Sequence, residues 1–119
     1  MDPNSQAQDI VNSFNSQFID LQRDLKVKIL KCQIRELENK SQSSEEAEHK
    51  AMRCLASMNQ LRQEAQGFLN GFSQKFGECI NKARESGSGE KECVDEFRDS
   101  LSQQKGTVEQ MYQKHLNIL

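Results

Sequence analysis

The sequence predicts an all-α protein built as two antiparallel helical hairpins that share a long central helix, three long helices in all, stapled by disulfides. Three observations carry that expectation. The 119 residues contain a single Pro, at position 3, and are rich in Gln, Glu, Lys, Leu, Ser and Arg, a composition that makes helix the default. Apolar residues recur in steps of three and four, the spacing of a buried helix face. The four cysteines stand symmetrically about two polar breaks: Cys32 and Cys54 are equidistant from position 43, Cys79 and Cys93 from position 86.

The first helix is expected over residues 3–38. Asp2 is placed to cap it, and Pro3 fits the first helical position, where a missing N–H costs nothing. Its stripe runs Val11, Phe14, Phe18, Leu21, Leu25 and then Cys32. The polar stretch Lys40-Ser41-Gln42-Ser43-Ser44 ends it.

The second helix, 44–85, opens with Ser43 as cap and Glu46 three residues on, the spacing of a capping box. Ala47, Ala51, Cys54, Met58, Leu61, Ala65, Phe68, Phe72, Lys75 and Cys79 then alternate steps of four and three, a coiled-coil type of seam. Leu55, Leu69, Phe76 and Ile80 widen it on one side. The segment Gln66-Gly67-Phe68-Leu69-Asn70-Gly71 is where a turn, a kink or a close helix approach could fall. Because the seam keeps its phase through these residues, a continuous or mildly kinked helix at 67–71 is expected.

Ser86-Gly87-Ser88-Gly89 is the clearest break in the chain. Val94, Phe97, Leu101, Gln104, Val108, Met111 and His115 carry the third helix, 89–117. Gly106 is its weak point, since an interior Gly costs roughly 1 kcal/mol relative to Ala.

Residues equally far from a hairpin turn lie at the same height, so Cys32 is expected opposite Cys54 and Cys79 opposite Cys93, each pair as a disulfide. Four buried thiols acting as small apolar residues are the plain alternative. A zinc site made by folding four thiolates into one layer, with a turn at Gly67, is the other. Against zinc stand the lack of any CxxC and the positions of His49 and His115, which have no ligand-like spacing to a cysteine. No metal or other cofactor is expected. Cross-links would matter here, because 34% hydrophobic residues and no Trp make a thin core for a single domain of residues 1–119. Each closed loop could contribute about 3 kcal/mol.

Sixteen basic and eighteen acidic residues, net charge −2, are interspersed, which argues against a dedicated nucleic-acid binder. The local run Arg23, Lys26, Lys28, Lys31, Arg35 reads as a solvated helix face. No apolar run reaches the roughly 20 residues of a membrane span. The acid-bearing start, with Asp2 and Asp9 and no Arg before Arg23, does not resemble a secretory signal or a transit peptide, and a soluble protein is expected. No nucleophile motif, phosphate-cradling loop or apolar-framed pair of acids is present, so neither an enzyme nor a small-molecule substrate is expected. Glu45, Glu46 and Glu48, and likewise Asp95, Glu96 and Asp99, read as acids complementing helix N-termini. Phe68, Phe72, Phe76 and Tyr112, at helical spacing, read as core or partner contacts rather than a base-stacking platform.

The interval of 22 residues from Cys32 to Cys54 and 25 from there to Cys79 resembles the outer cysteine positions of the small mitochondrial helical-hairpin proteins of the family-with-sequence-similarity group one hundred and thirty-six, whose cysteines occur as twin CX3C pairs. The likeness covers roughly residues 28–116. The inner cysteine positions of that pattern hold Glu36 and Lys50 in the first hairpin, and Ala83 and Gly89 in the second. Glu36 and Lys50 are also equidistant from position 43, so an ion pair is expected where the family has a second bridge. The resemblance implies a disulfide-stapled protein of the mitochondrial intermembrane space.

Together these features lead to the expectation of a non-enzymatic accessory or assembly subunit of a larger protein complex. Its helical seams would bind other subunits, with Phe14, Phe18, Phe68, Phe72, Phe97 and Val108 shared between core and interface. The alternative is a cytosolic coiled-coil scaffold on a filament or cytoskeletal assembly, with reduced cysteines.

Overall fold

A computed structural model describes residues 2–119. It contains six helical segments: α1 (Pro3–Ser16), α2 (Ile19–Glu38), α3 (Ser44–Arg53), α4 (Ala56–Ser86), α5 (Glu90–Ser102) and α6 (Lys105–Ile118). No strand occurs among the described residues. The segments pair end to end into three long arms, α1–α2, α3–α4 and α5–α6, joined by two hairpin turns. The first and third arms therefore run parallel and the central arm antiparallel to both. Long helices, two hairpins and a shared central arm are as the sequence predicts.

Each arm starts where local chemistry favours it. The Asp2 side chain accepts from the Asn4 N–H (3.3 Å), with Pro3 at the first turn. The Ser43 hydroxyl accepts from the Glu46 N–H (3.2 Å). Between α4 and α5 the chain turns through Gly87 (φ 83°) and Gly89 (φ 104°), left-handed conformations that favour glycine. The Ser88 N–H closes the end of α4 on the Ala83 carbonyl (3.0 Å), a Schellman bond.

The glycine segment does not interrupt the helix. α4 runs unbroken through Gly67, Gly71 and Gly77, and a Cβ added at any of the three would meet nothing within 4 Å. Neither a turn nor a close helix approach explains these glycines. The arms bend elsewhere, at Gln17–Phe18, Cys54–Leu55 and Gln103–Gln104, where the N–H groups of Gln17, Phe18, Cys54, Leu55 and Gln104 reach carbonyls three residues back instead of four. Two of these bends follow a serine whose hydroxyl donates back to a carbonyl: Ser16 to Ser13 (2.7 Å) and Ser102 to Asp99 (2.9 Å). Such back-bonding competes with the helical ladder and bends helices. The third bend falls at disulfide-bonded Cys54.

The larger core cluster joins α1, α4, α5 and α6 through Phe14, Phe18, Phe76, Ile80, Val94, Phe97, Leu101 and Val108. Aromatic rings organise it: Phe14 meets Phe18 edge-on at 5.1 Å, Phe18 stacks on Tyr112 at 6.0 Å, and Phe76 tilts against Phe97 at 5.1 Å. A smaller cluster holds Leu25, Ile29, Cys54, Leu61 and Leu116, with Leu21 and Tyr112 packed against both. The third arm stops there. The Lys28 ammonium donates to the Leu116 carbonyl (3.0 Å), close to the last turn of α6. Beyond it, α2 and α3 continue as a two-helix hairpin whose buried contacts include only small residues from α3, Ala47 and Ala51. The molecule measures 68 × 22 × 21 Å.

Disulfide staples and an uncovered helix face

The two cysteine pairs meet as their symmetry about the turns requires. Cys32 is bonded to Cys54 and Cys79 to Cys93, with Cα–Cα separations of 6.0 and 5.8 Å, and no cysteine is left free. These separations lie in the ordinary range for a disulfide. One staple ties α2 to the end of the α3 segment, the other ties α4 to α5. Cys54 and Cys79 stand on one nearly continuous arm, about 37 Å apart at 1.5 Å per residue, so the four-thiolate layer of the zinc alternative does not form. Among the described residues, no three His, Cys, Asp or Glu side chains converge as a metal site would require.

Glu36 and Lys50 do not form the expected ion pair. The Glu36 carbonyl and carboxylate both accept from the Gln42 amide, at 3.0 and 3.5 Å, and Lys50 stays exposed.

Four of the six residues expected to share core and interface, Phe14, Phe18, Phe97 and Val108, are buried within the chain's own core. Phe68 and Phe72 are half-buried, with rings 5.0 Å apart, and pack on the edge of that core. His115 is fully buried, as its seam position implies, and its Nε2 lies 3.5 Å from a Glu64 carboxylate oxygen that also meets the Lys114 ammonium at 3.3 Å. Among the described residues, neither ring nitrogen has a hydrogen-bond partner.

A groove of about 540 Å³ lies between α1 and α5, bordered by Asp9, Phe14, Lys91, Asp95, Arg98 and Leu101. Arg98 is paired with Asp95 across one turn of α5 (3.2 Å), and the groove is open to solvent on its long side. Of the charged groups named, Arg98 and Asp95 pair with each other.

The uncovered apolar surface lies on α2. Of the eight large apolar side chains left exposed among the described residues, five belong to this helix: Ile19, Val27, Leu30, Ile34 and Leu37. At 100° per residue the last four centre about 150° around the helix from the Leu25, Ile29 and Cys32 face that meets the core. The expected solvated face was drawn from Arg23, Lys26, Lys28, Lys31 and Arg35, and the apolar residues between them were left unassigned. The signal was the second series of three- and four-residue steps, out of phase with the core stripe and interleaved with Lys26 and Lys31.

No family model matches the chain, and no curated protein and no solved structure matches it either. Among the described residues, no helix is long and apolar enough to cross a membrane.

Proposed function

We propose that this protein is a non-enzymatic helical accessory or assembly subunit of a larger protein complex, oxidised and facing the mitochondrial intermembrane space. The observation that carries the reading is the combination of a thin, covalently braced rod with a line of apolar side chains that its own fold leaves uncovered. A rod 22 Å across has little room for a cavity-enclosed site but presents a long surface to neighbouring chains. Uncovered apolar surface in a line is the usual mark of a contact with another protein.

Two disulfides favour an oxidising compartment over a reducing cytosol. The cysteine intervals, similar to those at the outer positions of the mitochondrial twin-CX3C hairpin proteins, support the intermembrane space as that compartment. Two measurements test the reading. Protease protection of the endogenous protein should show it shielded in intact mitochondria and digested once the outer membrane is ruptured, and recovery from cytosol would overturn the compartment. Native gel electrophoresis of a gentle extract should place it in a species larger than itself, and migration as a free chain throughout would overturn the accessory role.

A further inference from the structure

Val27, Leu30, Ile34 and Leu37 step by three, four and three residues, the a and d alternation of a coiled-coil strand. They are between 42% and 58% exposed, on a helix whose opposite side is already committed to the core. The apolar strip spans about 80° of the helix circumference, narrower than a core-facing stripe and of the width of a two-helix seam. Its eleven residues cover about 15 Å, nearly three turns of one partner helix.

The charges beside the seam select the partner. From Leu25 to Arg35 every charged residue is basic, and acids stand only before and after, at Asp20, Asp24, Glu36 and Glu38. With Val27 and Ile34 at a positions, Lys26 and Lys31 take the flanking g and e positions that face a partner's side chains. A second copy of this chain meets like charge in either orientation: parallel pairing sets Lys26 beside the copy's Lys31, and antiparallel pairing sets Lys31 against Lys31 and Asp24 against Glu38. Like charges at these positions oppose association. A lipid surface would have Asp24 and Glu38 pressed toward it, and the strip lacks the breadth and aromatic residues of an interfacial helix.

We propose that the Val27–Leu37 face of α2 docks an amphipathic helix of another protein whose own apolar seam is flanked by Asp and Glu. The proposal deepens the accessory-subunit reading and rests on it for the existence of a natural partner. Apolar contact holds the two helices together, while Lys26 and Lys31 govern which helix is accepted and in which register, the usual division of labour between seam and flank.

The oxidised full-length protein can be titrated with two synthetic peptides of about three heptads. They share one Leu/Ile seam and differ only in carrying Glu or Lys at the flanking positions. The Glu peptide should bind saturably and shift backbone amide resonances of residues 26–38, and the Lys peptide should bind at least about tenfold more weakly. Leu30→Glu should abolish binding. Lys31→Glu, which leaves the apolar seam intact, should reverse the preference between peptides. Equal affinity for the two peptides, shifts confined to other helices, or binding unaffected by both variants would overturn the proposal. So would concentration-dependent dimerisation in sedimentation, or tighter binding to phosphatidylserine vesicles than to the Glu peptide.

In cells, a photo-crosslinking residue at position 30 should trap a neighbour that the same residue at position 110 does not. A native complex whose crosslinks avoid position 30 would overturn this seam and leave the accessory reading standing. A chain that always migrates alone would remove the accessory reading, while the peptide titration would still decide the seam.

Discussion

His115 is enclosed on every side, yet neither ring nitrogen finds a hydrogen-bond partner among the described residues. A buried polar group left unpaired carries its desolvation cost without compensation. His115→Leu, which keeps comparable volume and removes that cost, is expected to raise the unfolding free energy by about 1 kcal/mol, read as a higher urea midpoint at unchanged slope. Its place in the seam was legible from the spacing that runs through Val108 and Met111. The missing partner was not legible, because it depends on Glu64 of α4, which approaches only to 3.5 Å and is shared with Lys114. The expected Glu36–Lys50 pair failed for a related reason. Symmetry about a turn brings two side chains to one height without fixing what each meets, and here the Glu36 carboxylate lies 3.5 Å from the Gln42 amide.

At the level of elements, the three arms, their caps and both turns follow from the pattern of apolar steps, Ser43 and the Gly-rich corner. The bends do not follow, since serine back-bonding at Ser16 and Ser102 leaves no trace in the apolar period. α4 also departs from intuition: Gly67 and Gly71 sit in an unbroken helix with open space around them. Gly67→Ala and Gly71→Ala are each expected to stabilise the protein by roughly 0.5–1 kcal/mol, measurable as additive rises in thermal midpoint. A loss of stability on either change would mean that the helix uses those glycines to bend in solution. The two staples should behave differently. α3 packs on α2 without a third helix, so replacing Cys32 and Cys54 by Ser is expected to free the amides of residues 44–53 to exchange while the rest stays protected. Replacing Cys79 and Cys93, which border the aromatic cluster, is expected to lower global stability by about 3 kcal/mol and to speed exchange throughout.

For the whole molecule, elongation is the dominant property. The Cα radius of gyration is 19.5 Å, against about 13.5 Å for a compact domain of this length. Solution X-ray scattering should return a rod-like distance distribution, peaking near the 22 Å cross-section and tailing to a longest distance near the 68 Å long axis. A compact profile would show that the arms fold back on themselves. The architecture was legible because helical periodicity and cysteine symmetry are both encoded locally. The uncovered face of α2 was harder to see, because whether a stripe is inside or outside depends on which side the neighbouring arms occupy.

The two sulfur bridges enclose separate stretches of chain, residues 32–54 and 79–93, and neither ring contains any part of the other. A protease that cuts at either corner therefore leaves pieces that remain tethered, and only a reductant would release them. A cut in the helix between the rings meets no such tether. The corners are consequently the places where this protein can be opened, extended or fused to a foreign segment without its arms losing covalent hold of one another.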